Sequence, residues 1–180
     1  MPRSFLFVLT LLTISLGLNV DLAWKIKKIT SPLPPNKVGV KVSHFAATDI
    51  NGHPTDVSFN MGKPTLIYFI DPECKWCKAN TSSFSTLAQA LDGKMRVMIL
   101  SSRREKLDEF LSNNRPAADV LVVNSSRLKD DLGLIATPQT FVVDTNGRVE
   151  HHWAGAYSGE TRTQIEKALN LQLPETKAPS

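Results

Sequence analysis

Apolar runs and amphipathic stretches alternate between residues 42 and 173. After Thr65, the run Leu66-Ile67-Tyr68-Phe69-Ile70 is apolar at every position, as a strand covered on both faces should be. Before it, residues 45–59 hold the polar turn Asp49-Ile50-Asn51-Gly52 between two extended segments, which predicts a hairpin. After it, Phe84, Leu87, Ala88 and Leu91 recur at helical spacing until Asp92-Gly93 ends the helix. A strand is predicted over 95–100, a helix with Leu107, Phe110 and Leu111 on one face, a short strand over 120–123 and a short helix over 126–132. Residues 140–143 and 148–153 flank Asp144-Thr145-Asn146-Gly147, a strong hairpin signal. A last helix carries Ile165, Ala168 and Leu169, and residues 174–180 read as a frayed tail. Strands alternating with helices, closed by a hairpin and a helix, predict an α/β domain over 42–173 with a mixed central sheet and an N-terminal hairpin.

Ahead of this domain the pattern changes. Residues 5–20 form an apolar stretch behind Arg3, the composition of an export signal. Ser15-Leu16-Gly17 offers small residues for cleavage, yet apolar character resumes through Leu22, Ala23 and Trp24 toward the length of a membrane anchor. Residues 1–24 are therefore expected to be a signal peptide or an N-terminal anchor. Residues 25–41, with Ser31-Pro32-Leu33-Pro34-Pro35, are expected to be a linker. The expectation is an extracytoplasmic domain, attached to the membrane through its N-terminal segment if that segment is uncleaved.

Charge agrees with this division. Arg3, Lys25, Lys27 and Lys28 against Asp21 give +3 through residue 30, leaving only +1 of the total +4 for the rest. The basicity belongs to the flank of the apolar stretch. A basic groove with interleaved aromatics is missing from the domain, which argues against a nucleic-acid partner.

The chain has two cysteines, and both lie in Cys74-Lys75-Trp76-Cys77, where the buried strand gives way to a helix. Two intervening residues on one helical turn bring the sulfurs within reach of a disulfide. Asp71-Pro72-Glu73 has the pattern of a helix start, with Asp71 as N-cap and Pro72 as the first helical residue, placing Cys74 in the first turn. Unpaired amides there favour a thiolate, the attacking species in disulfide exchange. Cys74 is the expected nucleophile and Cys77, one turn deeper, the resolving thiol. Lys75 and Lys78 favour the anion while Asp71 and Glu73 oppose it, so sequence leaves the net sign open. Trp76 is either an exposed platform for a partner or a helix residue packed on its own fold.

Other chemistries fit less well. A closed zinc site wants four ligands, and His44, His53, His151 and His152 are scattered, so no metal and no cofactor is expected. A structural disulfide here would close too small a loop to restrain the unfolded chain much.

Ala136-Thr137-Pro138-Gln139-Thr140 puts a proline at the mouth of a strand. A cis bond would present the Thr137 backbone to an extended partner, whereas a trans proline would simply end the preceding helix.

Taken together, the strand, the C-x-x-C, the helix and the distant Thr137-Pro138 before Phe141-Val142-Val143-Asp144 resemble the thioredoxin-like superfamily. The segment Phe45-Ala46-Ala47-Thr48-Asp49-Ile50-Asn51-Gly52, the stretch Gly62-Lys63-Pro64-Thr65-Leu66 and the leader resemble its extracytoplasmic TlpA-type redoxin branch. The resemblance covers about residues 42–171 and implies a thioredoxin fold. It implies thiol-disulfide exchange through Cys74 and Cys77, with Pro138 as the cis-proline beside them and Trp76, Thr137 and Pro138 meeting the substrate. A disulfide-containing client protein and a membrane electron donor are the implied partners. There are departures. Glu73 stands where the family commonly has Trp, Asn80 where this branch often has a buried Glu, and Ser82-Ser83 where a proline often kinks the helix. Glu73, Lys75 and Asn80 are therefore expected to modulate the cysteines, with Glu73, Asp71 or water moving the proton. Alternative readings are a copper-binding assembly factor of the same fold, with Cys74, Cys77 and one histidine as ligands, and a thiol peroxidase. Neither cysteine has the Pro-x-x-x-Thr-x-x-Cys setting of a peroxidase, and neighbouring His151 and His152 on a strand would point to opposite faces.

Overall fold

The computed structural model describes residues 12–24, 34–112, 116–123 and 125–179. The chain divides into two compact units, Met1–Leu33 and Pro34–Ser180. In the first, residues 12–24 form a helix, α1, exposed throughout, with Leu16, Leu18 and Trp24 among its apolar side chains. Among the described residues no helix is long and apolar enough to cross a membrane. The head of the expected leader, the lysine flank and residues 31–33 of the linker lie outside the described residues.

In the second unit, seven strands form one mixed sheet: β1 (Phe45–Asp49), β2 (Pro54–Val57), β3 (Thr65–Ile70), β4 (Arg96–Ser101), β5 (Asp119–Val123), β6 (Gln139–Val143) and β7 (Val149–Ala154). Their order is β2-β1-β5-β4-β3-β6-β7, with β3, β4 and β5 parallel and the other neighbours antiparallel. The helices are α2 (Lys75–Ala79), α3 (Thr81–Ala90), α4 (Leu107–Ser112), α5 (Ser126–Leu132) and α6 (Gly159–Leu169). This is the α/β thioredoxin architecture expected from the pattern, with the N-terminal hairpin β1–β2 added at the β5 edge.

β3 lies inside the sheet, between β4 and β6, and both its faces are apolar. Leu66, Tyr68 and Ile70 join Phe84 and Leu87 of α3, Leu107 of α4 and Ile165 of α6 in one core. Ile67 and Phe69 face the other way, toward Phe141, Val57 and Leu128 and Leu132 of α5. Such two-sided burial at roughly 25 cal/mol per Å² of apolar surface makes β3 the firmest place in the sheet from which to launch a site.

Both hairpins turn on the same four-residue chemistry. Asp49 Oδ1 accepts the amides of Asn51 and His53, each at 2.8 Å, and Gly52 sits at φ +88°. Asp144 Oδ1 likewise accepts the amides of Asn146 at 2.8 Å and Arg148 at 2.7 Å, with Gly147 at φ +81°. The carboxylate supplies local acceptors and the glycine supplies the left-handed turn.

Two boundaries differ from expectation. The second half of the linker is bound to the domain. Gly39 donates to Val149 O at 2.8 Å, Val149 to Val40 O at 2.9 Å and Val42 to Gly147 O at 2.7 Å, so the incoming chain covers the outer edge of β7. An edge strand's unpaired groups favour such a partner, and composition alone does not reveal it. The tail is also docked. Thr176 is buried, and its hydroxyl reaches Ser83 Oγ at 2.8 Å and Asn80 Oδ1 at 2.9 Å.

Gly147 combines its positive φ with a close approach, since a Cβ there would collide with the Val42 carbonyl. Gly147→Ala is expected to destabilise the domain by about 1–3 kcal/mol, measured by urea denaturation.

Candidate active site

The chain leaves β3 at Ile70 and makes one turn before α2. Asp71 O accepts the Cys74 amide at 3.0 Å and Asp71 Oδ1 accepts the Glu73 amide at 2.9 Å. Here the expected helix start is corrected. Asp71 and Pro72 lie in this turn, and the N-cap of α2 is Cys74 itself, whose sulfur accepts the Cys77 amide at 3.2 Å. A sulfur takes the place that a Ser or Asp oxygen holds in an ordinary cap.

Both cysteines are unlinked, Cys74 partly exposed and Cys77 buried. Their acidities are driven apart. Cys74 falls to about 6, chiefly because the Cys77 thiol donates to its sulfur, with the Thr137 side chain and the Cys77 and Trp76 amides adding to this against the opposing effect of desolvation. Cys77 is pushed far up, first by burial and then because its proton is held by Cys74. The opposing local charges that left the sign open are outweighed by hydrogen bonds to the sulfur.

The Thr137–Pro138 peptide bond is cis, and the Thr137 carbonyl lies 3.6 Å from Cys74 Sγ. Trp76 is 43% exposed and forms one wall of a groove of about 250 Å³ whose other walls include Thr137, Pro138, Gly155 and Ser158. Two segments far apart in sequence, 74–76 and 137–138, thus meet at the sulfur and its groove. Lys75 is exposed on the first turn of α2.

The other expected modulators sit differently. Glu73 Oε2 is bonded to Arg103 Nη1 at 2.9 Å, and Arg103 Nη2 reaches Asp71 Oδ2 at 2.7 Å. Ser102 Oγ also donates to Asp71 Oδ2, at 3.0 Å. Desolvation opposes the Asp71 charge, but the Glu73 amide, Ser102 and Arg103 together hold its carboxyl below the usual range. An acid so held is a poor proton donor near neutral pH. Arg103 was not foreseen, because it reaches the site only through the loop after β4.

Asn80 is fully buried. Its Nδ2 donates to Tyr68 Oη at 3.0 Å, and its Oδ1 accepts the Tyr157 amide at 2.8 Å and the Thr176 hydroxyl. Tyr68 stacks on Phe84 with ring centres 4.3 Å apart, and Tyr157 Oη meets Thr140 Oγ1 at 2.8 Å. Asn80 therefore ties β3, the β7–α6 loop and the C-terminal segment together, with no ionisable proton. It also parts α2 from α3, where Thr81 Oγ1 takes the carbonyls of Cys77 at 3.3 Å and Lys78 at 2.8 Å, a known cause of helix bending. A proline is not needed for that break.

Among the described residues no three His, Cys, Asp or Glu side chains converge as a metal site. His151 stacks on Trp153 and His152 on Phe141.

Comparison with known proteins adds the lineage. Residues 38–152 match the model of the AhpC/TSA family. The chain belongs to that family. It is 28% identical over 124 residues to the thiol:disulfide interchange protein DsbE of Haemophilus influenzae, covering 67% of each chain. A thiol:disulfide interchange protein DsbE structure from Chlorobium tepidum superposes with a TM-score of 0.60 at 18% identity, over 74% of this chain and 96% of that one. Peroxidoxin BcpB from Mycobacterium tuberculosis gives 0.59 at 21% identity, over 74% and 94%. The fold is thus common to relatives named for disulfide exchange and to one named for peroxide chemistry.

Iodoacetamide alkylation of the reduced protein should titrate with a midpoint near pH 6, set by Cys74, while Cys77 stays protonated into the alkaline range. Because the folded-state value lies below that of an unfolded thiol, ionised Cys74 stabilises the reduced fold fully above the unfolded value, and this is lost as pH falls through about 6. Urea titrations of the wild type against Cys74→Ser would reveal that slope. Asn80→Ala takes the partner from two buried polar groups, Tyr68 Oη and the Tyr157 amide, and leaves Thr176 with Ser83 alone; it should cost about 1–3 kcal/mol or more in the same assay.

Proposed function

We propose that this protein is an extracytoplasmic thiol-disulfide oxidoreductase that reduces disulfides of partner proteins through Cys74 and Cys77. The observation that carries the reading is the contrast between two thiols one turn apart, Cys74 accessible and acidic, Cys77 buried and protonated. That contrast orders the reaction. Cys74 thiolate attacks one sulfur of a client disulfide, forming a mixed disulfide and expelling the other client sulfur as thiolate. Cys77 then gives up its proton, attacks Cys74 Sγ, and the second client thiolate departs as the Cys74–Cys77 disulfide forms. Two electrons pass to the client.

The proton of Cys77 needs an acceptor. Asn80 cannot serve, and Asp71 and Glu73 are held by Arg103. The departing client thiolate, taking the proton directly or through water, is the base this site leaves. Trp76, Thr137 and Pro138 form the client groove, where the Thr137 backbone pairs with an extended segment carrying the reactive cysteine. The groove walls carry no charge, so client side chains beside that cysteine should be neutral.

The apolar leader and the relatives' name support a location outside the cytosol, with residues 1–24 as export signal or anchor. An oxidised enzyme there must be recharged, which calls for a membrane electron donor. Exchange rather than peroxide reduction is favoured because Cys74 lies in Asp71-Pro72-Glu73-Cys74, without the peroxide-polarising threonine.

Cys74→Ser should abolish reduction of a protein disulfide, and Cys77→Ser should accumulate a mixed disulfide with the client on a non-reducing gel. Full turnover by either variant would refute the mechanism. The reduction potential of the pair decides the direction, since about 30 mV is worth 1.4 kcal/mol. A value more oxidising than the compartment would make the protein an oxidant.

A further inference from the structure

The loop that brings Thr137 to the sulfur is held by a polar chain that the exchange mechanism does not use. Gln139, fully buried at the start of β6, donates both amide hydrogens backward, to Gly133 O at 3.1 Å and Ala136 O at 2.8 Å. Its remaining polar atom, Oε1, meets His152 Nε2 at 2.9 Å across the β6–β7 pair. The other imidazole nitrogen, Nδ1, faces the Lys37 backbone amide at 3.3 Å. A backbone N–H can only donate, so Nδ1 is the acceptor and Nε2 carries the proton. The Gln139 amide is oriented by the same logic, and each of its hydrogens is used.

The chain begins where the polypeptide enters the domain and ends beside Cys74. Lys37 also crosses the loop from outside. Its Nζ donates to Asp130 O at 3.2 Å, and a Cβ on Gly133 would stand 2.7 Å from its Cε. The loop 133–137 is thus gripped on one side by Gln139 and on the other by Lys37. His152 is held by stacking on Phe141, ring centres 4.5 Å apart and planes within 4°.

We propose that His152 and Gln139 are positioning residues for disulfide exchange, setting the Thr137 backbone at the distance from Cys74 at which a client strand can pair with it. Neither touches a reacting atom. The proposal rests on the exchange reading above, but it makes the client step depend on a histidine on the far strand of the β6–β7 hairpin. A small disulfide that does not pair with the loop should depend on it less.

His152→Phe keeps the ring against Phe141 and removes the donor; Gln139→Glu keeps the shape and cannot donate to the two carbonyls. In His152→Phe, amide hydrogen exchange across residues 134–137 should quicken about 3- to 10-fold, the loss expected for one hydrogen bond, and in Gln139→Glu, which loses two, by at least as much. KM for a protein disulfide should rise by the same factor, with the rate toward the aryl disulfide DTNB changing by less. His152→Gln, whose amide restores a donor toward Gln139, should recover most of both effects. Exchange rates report on the loop whether or not a client is turned over, so they separate failure of this pair from failure of the redox reading. Wild-type exchange rates in both variants, or equal losses toward DTNB and protein disulfide, would overturn the proposal.

Discussion

A buried or half-buried thiolate is costly unless donors surround it, and Cys77 supplies two of the donors that favour the Cys74 anion, beside the Thr137 side chain and the Trp76 amide. The Cys77 amide caps the sulfur as it would a serine oxygen, and the Cys77 thiol adds a second hydrogen bond. Cys77 is thereby the largest cause of the acidity of Cys74, while burial first and the bond to Cys74 second keep its own proton in place. The asymmetry needed for ordered exchange comes from a single helical turn. Everything else in the domain holds that turn still: β3 buried on both faces, the Asp71 turn, and the packing of α3 beneath.

Around this centre the molecule places charge and neutrality on different sides. The acidic approach of Asp71 and Glu73 is drawn off by Arg103, so it neither repels the thiolate strongly nor donates to it. Below the cysteines, a neutral hub of Asn80, Tyr68, Tyr157 and Thr176 replaces an ionisable group. The environment of Cys77 is consequently dry and uncharged. Such a site favours the protonated form of Cys77.

The groove side is built from the opposite end of the chain. Thr137 and Pro138 reach Cys74 because β6 pairs with β3 in the register Phe69 to Gln139, which sets the loop before β6 against the start of α2. The Gln139–His152 pair and Lys37 extend that support to β7 and the incoming segment. Chain entry and the start of the loop pack in the core on one face of the sheet, with Val42 and Leu134, while the cysteines join the core on the other face; Thr137 links the two.

Local order was readable from local chemistry. The alternation of apolar runs, the two Asp-x-Asn-Gly turns and the C-x-x-C after a strand each depend on a few adjacent residues, so element type, hairpins and the pairing of the two cysteines on one turn follow without tertiary information. Asn80 could be marked as a departure from its family, but its three partners come from β3, residue 157 and residue 176, a convergence no spacing announces. The same holds for Arg103, for the edge of the sheet that β1 joins, and for the docking of residues 37–42 and 176. The N-cap moved from Asp71 to Cys74 because a sulfur accepting from Cys77 competes with the usual oxygen cap, which composition does not weigh. Short-range hydrogen bonding and hydrophobic period are written along the chain. Which distant polar groups satisfy one another is decided only when the sheet brings them into the same dry interior.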